Sequence, residues 1–73
     1  MFKVRLDTQE DIVNFVNLTS KLKGNIILTD RHQYKVDAKS LMGVLYASKE
    51  FTELWCDSDT PIEGKLIDFL IVE

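Results

Sequence analysis

The chain has few of the residues that cross-link small proteins, bind metals in them or interrupt their secondary structure. Its 73 residues include one cysteine, one histidine, one proline and three glycines. A lone cysteine cannot form an internal disulfide, and one cysteine with one histidine cannot supply the ligands of a conventional zinc site. We therefore expect a fold held by packing alone, with no metal and no other cofactor, as suits a reducing cytoplasm.

A surplus of basic residues and a long apolar run are also missing. The chain has 9 Lys and Arg against 12 Asp and Glu, for a formal net charge of −3. This balance lacks the electrostatic footprint of nucleic-acid binding. The longest apolar stretch, residues 41–47, is far shorter than the roughly 20 residues that span a bilayer, and the start of the chain has no signal-peptide core. We expect a cytoplasmic protein that binds neither nucleic acid nor membrane.

The remaining composition is typical of one globular domain. Hydrophobic residues make up 45% and charged residues 29% of the chain, close to ordinary soluble usage. A chain of this length buries roughly 60% of its unfolded surface, which supports one core and no deep cleft. We therefore treat residues 1–73 as a single domain.

Hydrophobic periodicity predicts four strands and three helices. The strands are expected at residues 2–6, 25–29, 34–37 and 51–56, and the helices after Thr8, Ser40 and Thr60. The order is β-α-β-β-α-β-α. Both crossover helices must bury their apolar stripes on the same side of the sheet. The expected fold is therefore an α+β open-faced sandwich, a four-stranded antiparallel sheet with three helices on one face.

Capping residues mark the first two helix starts. Asp7 or Thr8 can cap the first helix, with Glu10 or Asp11 in the capping-box position three residues on. Ser40 is placed to cap the second helix. Each of these caps satisfies an otherwise unpaired backbone N–H at the helix start.

The other helix ends have equally simple signals. Lys21 and Lys23 are expected in the last turn of the first helix, followed by Gly24 at its end. Thr60 is expected as N-cap of the third helix, with Pro61 in its first position.

Alternation in the fourth strand assigns its side chains to two faces. Cys56 is expected to point inward as a small buried hydrophobe. Trp55 then falls on the opposite face, which should be largely bare, and Lys3 and Arg5 are expected there with it.

Residues 35–45, KVDAKSLMGVL, resemble the start of the second helix of the HPr family. These are the small phosphocarrier proteins of the bacterial sugar phosphotransferase system. Residues 15–16 and 19–23 similarly resemble the end of that family's first helix. The order of elements agrees along nearly the whole chain, while the specific part of the resemblance lies around Ser40.

The resemblance also implies that the family's usual chemistry is lost. HPr proteins carry a phosphoryl group on a His at the start of the first helix, followed by an Arg and a Pro. In this chain those positions hold Thr8, Glu10 and Asp11. A phosphothreonine ester would not pass its phosphate onward, and the two acids would repel a phosphate. The expected function is therefore that of a regulatory or interaction module, and not of an enzyme.

The family's regulatory features map onto the second helix. In the family, the serine matching Ser40 is phosphorylated by a dedicated kinase in some bacteria, and the product binds a transcriptional regulator. Leu41, Met42 and Leu45 match an apolar docking patch, which Asn17 would border. The implied partners are proteins: phosphotransferase-system components, HPr kinase or a transcriptional regulator. A helix cap at Ser40 and a phosphosite there are compatible.

Two other functions stay open. One is a phosphocarrier with an unrecognised site, for which His32, in the turn predicted at residues 30–33, is the chemical option. The other is a structural or protein-binding domain with no phosphotransferase role, docking through the bare sheet face. An independent enzyme is disfavoured because the sequence offers no nucleophile–base pair and no metal set.

Overall fold

The computed structural model describes residues 1–70 and has an α+β fold, which confirms the predicted class. It contains a four-stranded antiparallel sheet and three helices. The strands are Phe2–Lys3 (β1), Ile26–Thr29 (β2), Lys35–Asp37 (β3) and Trp55–Ser58 (β4), and the helices are Gln9–Thr19 (α1), Leu41–Glu50 (α2) and a 3-10 helix at Glu63–Phe69. Within this described range, no helix combines the length and apolar character needed to cross a membrane.

The strands lie in the order β1-β4-β2-β3, and every neighbouring pair is antiparallel. Successive residues of a strand point to opposite faces, so each row across the sheet belongs to one face. The row on the helix side consists of Phe2, Cys56, Leu28 and Val36. The next row, on the face away from the helices, consists of Lys3, Trp55, Thr29 and Lys35.

One hydrophobic core lies between the sheet and the helices. Phe15 is fully buried at its centre, and its ring meets the ring of Phe69 edge-on with centroids 5.4 Å apart. The sheet contributes Ile26, Leu28 and Cys56, all buried. The inward orientation predicted for Cys56 is confirmed.

The start of α1 confirms the predicted capping box and selects between its alternatives. Thr8 is the N-cap, and its Oγ1 accepts a hydrogen bond from the Asp11 N–H at 3.1 Å. The Asp11 carboxylate accepts in return from the N–H of Thr8 at 3.2 Å and from the N–H of Asp7 at 3.1 Å.

The predicted end of α1 is wrong. The helix ends at Thr19, so Lys21 and Lys23 lie beyond its last turn. The Thr19 hydroxyl is buried and donates to the Ala38 carbonyl at 2.7 Å, which ties this point of the helix to the segment after β3. Gly24 does have a positive φ, of 90°, but it turns the loop that follows the helix. A Cβ there would collide with the Asp59 carboxylate.

The predicted position of the fourth strand is also wrong. Helix α2 continues to Glu50, and Phe51 is its C-cap. The Phe51 ring stacks on Tyr34 and meets Tyr46 edge-on, with centroids 6.3 and 6.2 Å away. This aromatic contact holds Phe51 at the helix end, so β4 begins four residues later, at Trp55.

The third helix differs from the prediction in type and in its start. It is a 3-10 helix that begins at Glu63, and Thr60 does not cap it. The Thr60 carbonyl accepts a hydrogen bond from the Ser58 hydroxyl, which holds residues 58–60 as a turn. Ile62 and Leu66 are buried in the core.

The first strand is shorter than predicted. Its pairing with β4 covers Phe2 and Lys3, after which Val4 forms an isolated bridge with Leu70. Arg5 lies beyond the end of β1 and is exposed, and its Nε is 3.8 Å from Asp7 Oδ2.

Candidate functional site

Ser40 caps the start of α2, as predicted. Its Oγ accepts a hydrogen bond from the Gly43 N–H at 3.2 Å, and its own N–H donates to the Asp37 carbonyl at 3.1 Å. The side chain is half-buried, and no acidic residue occupies the first turn of α2. The hydroxyl is therefore held at the positive end of a helix with no carboxylate from that turn beside it.

The four predicted docking residues, Asn17, Leu41, Met42 and Leu45, form what we call the docking patch. Met42 is 77% exposed and Leu41 is 43% exposed. Asn17 is exposed on α1, whereas Leu45 is half-buried and packs against the core. The residues that α2 buries are Val44 and Ala47.

Two hydrogen bonds join the end of α1 to the loop that precedes α2. One is the bond from the Thr19 hydroxyl to the Ala38 carbonyl, at 2.7 Å. In the other, the Lys39 ammonium donates to the Leu22 carbonyl at 2.6 Å. These contacts bring the end of α1 that carries Asn17 close to Ser40.

Thr8 lies at the opposite end of α1. Eleven residues separate Thr8 from Thr19, which is about 16 Å along a helix axis. The Asp11 N–H donates to Thr8 Oγ1, and the N–H groups of Asp7 and Thr8 donate to the Asp11 carboxylate. A phosphoryl group at Thr8 would have to compete with this internal carboxylate for the same donors.

Two more exposed apolar side chains lie four residues along a helix from predicted docking residues. Val13 is 44% exposed on α1, four residues before Asn17, and Tyr46 is 51% exposed on α2, four residues after Met42. Residues four apart share one face of a helix. The spacing of four residues from Asn17 and from Met42 is a sequence signal that could have identified both side chains.

The turn between β2 and β3 carries His32, as predicted, and the side chain is exposed. The buried Asp30 carboxylate organises the turn: its Oδ1 accepts from the N–H groups of His32, Gln33 and Tyr34 at 2.9 to 3.1 Å. The bond from His32 makes the largest contribution to a lowered Asp30 pKa, against the opposing effect of burial.

Among residues 1–70, metal ligation depends on the His, Cys, Asp and Glu side chains, and thiol reactivity depends on Cys56. In this range no cluster of three His, Cys, Asp or Glu side chains could hold a metal ion. Burial raises the pKa of the Cys56 thiol to about 12, and the neighbouring Asp57 charge acts in the same direction. At neutral pH the thiol is therefore protonated and a poor nucleophile.

No family model, curated protein or solved structure matches the chain. The functional argument therefore rests on the geometry at Ser40 and the docking patch, together with the resemblance of residues 35–45.

Proposed function

We propose that the chain is an HPr-like protein of the bacterial sugar phosphotransferase system. It acts in the cytoplasm as a regulatory or interaction module and does not carry phosphate on a histidine. The observation that supports this most directly is the position of Ser40. It caps α2 within a segment that resembles the family's regulatory site, next to the exposed Leu41 and Met42. The element order and the strand order β1-β4-β2-β3 are compatible with an HPr-like sandwich.

The charges at the two helix starts favour Ser40 over Thr8 as the place for a phosphate. The first turn of α1 carries Glu10 and Asp11, and the first turn of α2 carries no acid. A phosphate carries a charge of about −1.5 to −2 at neutral pH, so neighbouring carboxylates repel it while a helix dipole favours it. Phosphorylation of Ser40 is therefore compatible with α2, whereas the start of α1 is already occupied by its own acids.

The docking patch favours a protein as the partner. Met42 and Leu41 stand out from a short helix without forming a deep pocket, and Asn17 supplies a polar border. Exposed Met side chains adapt to different partner surfaces. A phosphate on Ser40 would add strong hydrogen-bond acceptors beside this apolar surface, which suits a partner that offers arginine.

If the chain has lost the phosphocarrier function, it should not acquire an acid-labile phosphate. Incubation with phosphoenolpyruvate and the general phosphotransferase enzyme should leave the intact mass unchanged, because Thr8 occupies the histidine position and Asp11 occupies its backbone donors. Mass spectrometry at neutral pH provides the measurement, and a phosphate-carrying HPr protein is the positive control. An acid-labile phosphate would contradict the proposal, and its loss in a His32→Gln variant would support the alternative phosphocarrier.

Phosphorylation by HPr kinase is expected at Ser40. The product should gain one acid-stable phosphate, located at Ser40 by peptide mass spectrometry, and Ser40→Ala should lose it. Ser20→Ala is a matched control, because Ser20 is an exposed serine at the C-terminal end of α1 and does not cap the start of a helix. Since Ser40→Ala also removes a cap, its stability should fall by about 1 kcal/mol, so its folding is checked by circular dichroism before the assay.

A negative result at Ser40 would favour the structural or protein-binding alternative. In that case Met42→Ser should still weaken partner binding if the docking patch is the contact surface. Ser40→Asp, which places a negative charge at the same helix start, should change the affinity of a regulator that recognises the phosphorylated form.

A further inference from the structure

We propose that the sheet face opposite the helices binds a small organic carboxylate through Arg31. A depression of about 330 Å³ lies on this face, lined among others by Ile27, Thr29, Arg31, Lys35 and Asp57. Its size falls at the lower end of the range that small-molecule sites occupy, roughly 300 to 1,000 Å³. The docking patch lies on the helices, so this site is separate from the proposed function and independent of it.

The backbone at Arg31 is held in an unfavourable conformation. Its φ of 67° is in the left-handed region, which residues other than glycine and asparagine rarely adopt. The three backbone bonds to Asp30 and the bond from the Arg31 N–H to Thr29 Oγ1, at 3.0 Å, maintain this turn. A position that suits glycine and carries arginine points to a role for the side chain.

The Arg31 side chain is positioned by an aromatic ring. Its Cζ lies 4.5 Å from the centroid of the Trp55 ring. The ring is oriented from its other end, because Trp55 Nε1 donates to Glu53 Oε2 at 3.1 Å, and Lys3 Nζ is 3.6 Å from Glu53 Oε1. A guanidinium on an aromatic face keeps its in-plane N–H donors available for a carboxylate, which it can bind in bidentate fashion.

Positive charges outnumber negative ones around the depression. Arg31, Lys35 and the Met1 ammonium are positive and Asp57 is negative, which leaves two positive charges with His32 counted as neutral. The Asp57 carboxylate at the same site disfavours a ligand of high negative charge, such as a polyphosphate. The Ile27 side chain offers an apolar surface beside the cations. The ligand class that fits is a monocarboxylate with a short aliphatic or aromatic body.

Trp55 is the chain's one tryptophan, so its fluorescence reports directly on this site. The probes are phenylacetate, its neutral amide phenylacetamide, and phenyl phosphate. We expect phenylacetate to change Trp55 fluorescence saturably and to shift the amide NMR signals of residues 27–35, 55 and 57. Phenylacetamide should bind at least about tenfold more weakly, because it lacks the charge that Arg31 recognises.

Three variants separate recognition by Arg31 from general charge. Arg31→Gly should weaken phenylacetate binding by about tenfold, and Arg31→Lys by about threefold, because Lys keeps the charge and loses the planar fork. Arg5→Ala removes an exposed arginine elsewhere and should leave the affinity unchanged. Because glycine suits the left-handed backbone, Arg31→Gly should keep its thermal midpoint within about 4 °C of the parent, so weaker binding cannot be attributed to unfolding.

Three results would overturn the proposal. They are equal binding of the acid and its amide, unchanged affinity in Arg31→Gly, and signal shifts that fall outside the sheet face. Tighter binding of phenyl phosphate than of phenylacetate would overturn the assignment of a singly charged ligand. The result of the kinase experiment at Ser40 does not affect the interpretation of these binding measurements.

Discussion

Phe15→Ala is expected to lower the free energy of unfolding by about 3 to 5 kcal/mol. Phe15 is fully buried at the centre of the core, where its ring meets Phe69. Truncation removes the apolar area that Phe15 buries, leaves a cavity among the residues around it, and abolishes the edge-on aromatic contact. The surrounding backbone is tied by sheet and cap hydrogen bonds, so the cavity can close only in part.

The size of the domain makes this change severe. At about 0.05 to 0.15 kcal/mol per residue, a chain of 73 residues has a total stability of about 4 to 11 kcal/mol. The variant should therefore be partly unfolded in buffer. Urea unfolding followed by Trp55 fluorescence measures the loss. Val13→Ala is the matched control on the same helix, since Val13 is 44% exposed, and it should cost less than about 1 kcal/mol. A loss below about 1.5 kcal/mol in Phe15→Ala would contradict the central position assigned to this ring.

Stability is expected to fall steeply above pH 9 because of Cys56. The ordinary thiol pKa is 9.0, and in the folded chain burial, with a smaller contribution from Asp57, raises the pKa of Cys56 to about 12. Below pH 9 the thiol is neutral in both states and has no effect. Between pH 9 and 12 the unfolded chain loses this proton and the folded chain keeps it. Alkaline pH therefore favours unfolding, by up to about 1.4 kcal/mol per pH unit.

The comparison that isolates the thiol is with Cys56→Ala. Urea unfolding from pH 7.5 to 11 should show wild-type stability falling faster than that of the variant, with a difference of about 2 to 3 kcal/mol accumulated at pH 11. The other ionisable groups are present in both proteins, so their contributions cancel in the difference. Cys56→Ala starts from a lower stability because it leaves a small cavity. Parallel pH profiles would show that Cys56 ionises without penalty and is not buried as described.

These effects constrain the functional experiments. Helix α2 carries part of the docking patch and also contributes Val44 and Ala47 to the core. A substitution that tests the docking patch must therefore leave Val44 and Ala47 unchanged. Met42→Ser meets this requirement because Met42 is 77% exposed. On the sheet face, Arg31→Gly changes a turn residue whose side chain lies outside the core, so binding and folding can be read separately.

The starts of α1 and α2 and the side-chain orientation of the fourth strand were predictable because they depend on neighbouring residues. The capping box at Thr8 and Asp11 consists of hydrogen bonds between residues three apart, and the cap at Ser40 is equally local. The inward side chain of Cys56 follows from the alternation of a strand. The candidate phosphosite at Ser40 could therefore be placed correctly at the start of its helix, and its neighbour Met42 on the surface, before any tertiary contact was considered.

Element ends were not predictable, since contacts between distant residues determine them. Helix α1 ends where the buried Thr19 hydroxyl bonds to the Ala38 carbonyl, 19 positions along the chain. Strand β4 begins late because Phe51 packs with Tyr34 and Tyr46 at the end of α2. The last helix begins at Glu63 with Ile62 and not Thr60 at its N-cap, and the Ser58 hydroxyl donates to the Thr60 carbonyl in the turn before it. Local propensity is a weak determinant where such contacts compete.

The sequence by itself determined the chemical inventory of this protein. It excludes a disulfide and a conventional zinc site, places Thr8 where the family it resembles has a histidine, and places Ser40 at a helix start. The tertiary structure alone decided which side chains meet: Arg31 on Trp55, and the end of α1 beside the start of α2. The reason is physical. Residue identity limits which reactions are available, whereas a binding surface arises only when packing brings residues from separate elements to one face.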